Sequence, residues 1–159
     1  ENAYNNGDDH KSRENMSLVS LFGGLALANS KLGAVHGIAG PFGGMYNAPH
    51  GAVCARLLPF VIAQNIQAME QRNPYHERLT RYKIISQLLT KNLEADIHDG
   101  LDWILELNDL MDIPKLSQYG FNTNNIAELI QKSKNASSMK GNPIQLTDSE
   151  LESILIQAI

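Results

Sequence analysis

Apolar residues recur at helical spacing through most of the chain, and no stretch between turn signals alternates with period two for long enough to read as a strand. The first clear helix is expected over residues 11–31. Met16, Val19, Leu21, Phe22, Leu25, Ala26 and Ala28 begin on one face and broaden to nearly all round, the pattern of a helix buried on most sides. Gly23 and Gly24 each cost roughly 1 kcal/mol of helix propensity relative to alanine, so their presence implies a second backbone packed close by. Gly33 reads as the stop signal.

A second, short helix is expected over residues 34–39. Gly40-Pro41 should end it, and with Gly43-Gly44 close behind, this stretch reads as a sharp bend. Pro49 suits the first turn of a third helix, where a missing N–H sacrifices no bond, and that helix should run towards Asn65. Pro59 is expected to kink or break it near Leu58. Asn73-Pro74 introduces a helix over residues 75–89 with Leu79, Tyr82, Ile84, Ile85, Leu88 and Leu89 on one broad face. Another spans residues 94–111, turning Ile97, Leu101, Ile104, Leu105 and Leu107 inward, and closes at Asp112-Ile113-Pro114. Asn122 and Thr123 can cap a helix through Lys134. Thr147-Asp148-Ser149-Glu150 fits a capping box ahead of a last helix carrying Leu151, Ile154, Leu155 and Ala158. The expected fold class is all-α, a single helical domain over residues 1–159.

Composition agrees, since 159 residues with 43% hydrophobic and 19% charged content can bury one sizeable core. A net charge of −4 with scattered basic residues lacks the footprint that phosphate-backbone binding requires, so no nucleic-acid partner is expected. Apolar segments such as residues 57–63 are short and followed by polar residues, so no membrane role is expected. Cys54 is the single cysteine and cannot form an internal disulfide. No charged stretch followed by an apolar run and a small-residue cleavage site opens the chain, so a reducing, cytoplasmic setting is expected. The polar run from Glu1 to Asp9, without an initial methionine, reads like the middle of a longer protein.

No glycine-rich fingerprint between a strand and a helix is present for holding a dinucleotide. The chemistry therefore centres on His36 and His50. On one continuous helix their 14-residue separation would put them about 20 Å apart, too far to share an ion. The intervening Gly40, Pro41, Gly43, Gly44 and Pro49 force the chain to turn and let two helix ends converge. Gly37 and Gly51 follow the histidines directly and leave room beside each imidazole for an ion, a cofactor ring or a substrate. On spacing alone, a histidine pair in glycine-rich surroundings is more often structural than metal-binding. Cys54, one helical turn after His50, can approach an ion there, although a buried small hydrophobe is its commoner role. His10, His76 and His98 lie in polar stretches and read as solvated surface residues.

Read whole, the stretch from Leu32 to Pro59 closely resembles the second signature of the iron-containing alcohol dehydrogenases. It includes Val35-His36-Gly37, Gly40-Pro41-Phe42-Gly43-Gly44, Asn47-Ala48-Pro49-His50-Gly51 and Leu57-Leu58-Pro59. The likeness extends to Arg13-Glu14-Asn15-Met16, Gly23-Gly24-Leu25-Ala26, Asp112-Ile113-Pro114 through Gly120, and Gly141-Asn142-Pro143. Essentially the whole chain looks like that family's C-terminal helical region. The resemblance implies a metal held by an aspartate and three histidines, of which the last two match His36 and His50. The other two ligands are expected upstream of Glu1, together with the dinucleotide-binding domain, and Asp8, Asp9 and His10 are not expected to replace them. The match departs at Gly40, where many members carry a further histidine near nicotinamide and substrate. That bears on any proton relay there and points towards a subgroup of unknown substrate.

The resemblance implies interconversion of an alcohol and an aldehyde or ketone, with hydride passing to or from NAD or NADP. Fe2+ is the expected ion, with Zn2+ also compatible with imidazole and carboxylate ligands. With only two ligands and no cofactor domain, the isolated chain is expected to be inactive and, where it exposes apolar faces, to form a homo-oligomer. A different class of reading is a stand-alone helical binding or interaction domain that has lost catalysis. A third is a helical metal-binding module without redox chemistry.

Overall fold

The computed structural model describes residues 1–159 and contains no strand, as the periodicity predicts. Eight helices follow in order: α1 (Asn2–Asn5), α2 (His10–Asn29), α3 (Ala34–Met45), α4 (His50–Arg72), α5 (Glu77–Thr90), α6 (Asp99–Leu110), α7 (Ile126–Asn135) and α8 (Asp148–Ala158). Short 3-10 turns at Leu116–Tyr119, Thr123–Asn125 and Ser137–Gly141 join the later helices. The core lies where α3, α4, α7 and α8 meet, and α5 and α6 pair at its side. Ile38 and Phe42 of α3, Val53 and Leu57 of α4, Leu129 of α7, and Leu151, Ile154 and Leu155 of α8 fill it.

Pro41, expected to end a helix, and Pro59, expected to kink or break one, both lie inside continuous helices. The stretch Gly40-Pro41-Phe42-Gly43-Gly44 is not a bend, because α3 runs through it to Met45. Pro41 forfeits the bond to the carbonyl of Gly37, at a cost of about 3 kcal/mol in a helix interior. The same helix buries Ile38 and Phe42 completely, each contributing roughly 1.5–3 kcal/mol, so packing outweighs the proline. Likewise Pro59 does not break α4, which buries Val53, Leu57 and Val61 on either side of it. At 23 residues and a mean hydropathy of 1.3, α4 is long and apolar enough to cross a bilayer, contrary to the reading of its segments as too short. Half of that apolar window is buried against the rest of the chain, which makes α4 its central helix.

The largest departure is α2. Its apolar pattern predicts burial nearly all round, yet it contains no buried residue, and Val19, Phe22 and Leu25 are 61%, 61% and 53% exposed. No atom approaches the place where a side chain would stand on Gly23 or Gly24, so no second backbone packs there. Sequence reports how apolar a face is, and not whether another segment packs against it. Helix α2 ends at Asn29 rather than at Gly33, and it meets α3 at 97°. Gly33 instead occupies the N-cap position of α3. Ile84, Ile85 and Leu88 of α5 are also exposed, so only Leu79, Tyr82 and Leu89 of its expected inward face are partly covered.

Caps follow local chemistry closely. Thr147 accepts from the N–H of Glu150 at 3.3 Å while the Glu150 carboxylate accepts from the N–H of Thr147 at 2.6 Å, closing the expected capping box. Asn122 caps the 3-10 turn that leads into α7. Helix α6 begins at Asp99, later than periodicity suggests, because the Asp96 carboxylate accepts from the N–H groups of His98 and Asp99 in a turn just before it.

Candidate metal centre

His36 occupies the first turn of α3 and His50 opens α4. The chain rises about 14 Å along α3 from His36 to Met45, and the non-helical residues Tyr46 to Pro49 are long enough to bring it back. Aromatic packing fixes the reversal. Phe42 stacks on Tyr46 at 4.8 Å between ring centroids, and Phe121 contacts both edge-on at 5.5 and 5.7 Å. The Tyr46 N–H donates to the Phe42 carbonyl and the Ala48 N–H to that of Tyr46, both at 2.9 Å. The turn that unites the histidines is therefore Tyr46 to Pro49, beginning five residues beyond Pro41.

The result is a convergence of donors. The His36 and His50 rings lie 5.5 Å apart, centroid to centroid. A ring nitrogen of each and Sγ of Cys54 all fall within 4.8 Å of one another, with Sγ 3.4 Å from Nε2 of His50. No carboxylate joins this group. Asp9 is engaged elsewhere, capping α2 by accepting from the Ser12 N–H at 3.0 Å. His10 is the first residue of α2, His98 precedes α6, and His76 caps α5 through Nδ1, a structural role that its polar surroundings did not announce.

Loss of water contact lowers the pKa of His36, and the nearby His50 lowers it further. That favours the neutral imidazole, the form in which histidine donates to a metal. Burial raises the pKa of the Cys54 thiol, which keeps it protonated unless a cation compensates. His36 and Cys54 share a wall of a cleft of ≈ 500 Å³ with Leu32, Val35, Leu58 and Ile62, so a small molecule can reach the donors. Gly51 faces open space, as expected, but Gly37 does not leave room for a ligand. A Cβ there would stand 2.9 Å from Cε of Met139, because the Ser137–Gly141 turn packs against α3 at that point.

The orientation of α3 depends on a residue far along the chain. Gly33 has no side chain to cap the helix, and Oδ1 of Asn142 accepts from the Ala34 N–H at 3.0 Å instead. Asn142 in turn pairs with the buried Asn65 of α4, donating to Oδ1 at 2.7 Å and accepting from Nδ2 at 3.3 Å. One asparagine thus ties together the two helices that carry the histidines. Its neighbour Gly141 lies so close to the Leu32 carbonyl that no side chain fits there.

The profile of the Fe-containing alcohol dehydrogenase family, C-terminal, matches residues 1–159. The chain belongs to the iron-containing alcohol dehydrogenase family. Alcohol dehydrogenase 4 of Saccharomyces cerevisiae is 29% identical over 157 residues, which cover 98% of this chain and 39% of the yeast protein. The NADPH-dependent butanol dehydrogenase of Clostridium saccharobutylicum is 32% identical over 154 residues, 92% of this chain and 37% of that protein. The solved structure of a 1,3-propanediol oxidoreductase matches with a TM-score of 0.84 at 28% identity, covering 99% of this chain and 40% of the other. The chain spans about two-fifths of the length of these relatives. The iron-containing alcohol dehydrogenase resemblance read from Leu32 to Pro59 therefore extends over the whole helical fold.

Proposed function

We propose that this chain is the metal-holding helical part of an alcohol dehydrogenase that interconverts an alcohol and an aldehyde or ketone, with NAD or NADP as hydride carrier. The observation that supports it best is the meeting of His36 and His50 at 5.5 Å from two separate helices within a family of such enzymes. Two imidazoles, that of His36 lining a cleft, are suitable donors for Fe2+ and for Zn2+, and for these two donors alone family membership favours Fe2+. A bound ion of this kind supplies Lewis-acid chemistry, drawing electron density from the substrate oxygen. His36 and His50 would hold the ion, and Leu32, Val35, Leu58 and Ile62 would give the substrate beside His36 an apolar wall. Further ligands and the nicotinamide-binding region belong, on this reading, to a part of the enzyme outside these residues.

Replacing either His36 or His50 by alanine tests the assignment. Bound metal and turnover of the complete enzyme should both fall sharply, by tenfold or more in metal affinity, whereas unchanged metal content in both variants would refute it. The 159-residue chain alone should show no NAD-dependent turnover, and activity from pure chain would overturn that part of the reading.

A further inference from the structure

We propose that Cys54 is a third metal ligand supplied by this chain, so that His36, His50 and Cys54 form a set favouring a borderline-soft divalent ion such as Zn2+ over Fe2+. This rests on the reading of the two histidines as ligands and adds to it the ion that the site prefers.

The geometry carries the inference. With metal–nitrogen bonds of about 2.05 Å and metal–sulfur bonds of about 2.3 Å, tetrahedral ligands stand about 3.3 Å apart for two nitrogens and about 3.5 Å for nitrogen and sulfur. Sγ of Cys54 is 3.4 Å from Nε2 of His50, the spacing of two donors on one ion. All three donors lie within 4.8 Å of one another, so closing the set requires a shift of at most about 1.5 Å. His36 is free to provide it, since its ring makes no side-chain hydrogen bond in the structure while His50 and Cys54 are set one turn apart on the first turns of α4.

A thiol–imidazole hydrogen bond would explain the 3.4 Å distance with His50 and Cys54 alone. It gives no reason for a second imidazole to arrive at the same point from α3, nor for the sulfur and His36 to border the same cleft. An ion entering from the cleft accounts for all three. It would displace the thiol proton to solvent and leave a thiolate bound, with no change in oxidation state of sulfur or metal. Thiolate softness, together with the general rise in affinity from Fe2+ to Zn2+, then shifts the preference of the site towards zinc.

Co2+ titrated into the metal-stripped protein provides the test, because cobalt reports its ligands by absorption. The expected result is one Co2+ per chain with visible ligand-field bands and a near-ultraviolet thiolate-to-cobalt band. Cys54→Ser, checked for native helicity, should lose the near-ultraviolet band and bind Zn2+ at least tenfold more weakly. Its discrimination between Zn2+ and Fe2+, measured by anaerobic competition, should shrink. Visible bands without the thiolate band in the unaltered protein would overturn the Cys54 assignment while leaving the histidines as ligands. Absence of any Co2+ binding would overturn both readings. If Cys54→Ser does not fold, the presence or absence of the thiolate band in the unaltered protein decides the matter.

Discussion

Replacing Asn142 by alanine should destabilise the fold by about 3 kcal/mol and loosen the histidine pair, although Asn142 lies far from both histidines in sequence. The loss can be worked group by group. Oδ1 of Asn142 caps the N–H of the fully buried Ala34, and Nδ2 satisfies Oδ1 of Asn65, which is 2% exposed. Alanine leaves both without a partner, at about 1–3 kcal/mol each. The Ile144 carbonyl, which accepts from Nδ2 at 2.8 Å, is only partly buried and can turn to water at little cost. Nδ2 of Asn65 keeps the Tyr82 hydroxyl at 3.3 Å. Two orphaned groups therefore dominate, and a change of about 3 kcal/mol corresponds to roughly 6–12 °C in Tm for a chain of this size. Equilibrium urea denaturation followed by circular dichroism measures it, with Co2+ affinity read on the same variant. A change below about 0.5 kcal/mol would refute the view that Asn142 bridges α3 and α4. A full loss of stability with unaltered Co2+ affinity would refute the link from that bridge to the histidines.

Thr147→Ala should cost about 1 kcal/mol by thermal denaturation, since it removes one bond of the capping box while Glu150 keeps its ion pair with Arg72 at 3.0 Å. No loss would mean that the Arg72 pair alone sets the start of α8. The exposed face of α2 should drive self-association that increases with concentration, and replacing Phe22 and Leu25 by glutamate should suppress it. Light scattering showing a clean monomer at high concentration in the unaltered chain contradicts this. For pH, the folded His36 binds its proton less readily than the unfolded residue, whose ordinary value is 6.5. The unfolded state therefore gains protons first, and the stability of the metal-free chain should fall as pH drops from about 6.5 through the lowered folded value, then level off. His36→Gln should flatten that slope in urea titrations, and an unchanged slope would assign the effect to other groups.

Much of the architecture follows from local chemistry alone. Helical periodicity without alternation makes the chain all-α, and Thr147 with Glu150 closes a cap whose four residues are consecutive. The glycines, prolines and two histidines between Leu32 and Pro59 carry the family likeness, because each is a local requirement that needs no distant partner to be read. Tertiary structure decided the rest. Burial of Ile38 and Phe42 carries α3 through Pro41 and moves the turn to Tyr46. Met139 fills the space beside Gly37, and Asn142 supplies the cap that Gly33 lacks. The apolar face of α2, which local pattern assigns to the interior, stands exposed because nothing within residues 1–159 packs over it. Periodicity and propensity act over a few residues, whereas which surfaces meet, and which donors share one point, depends on contacts between segments distant along the chain.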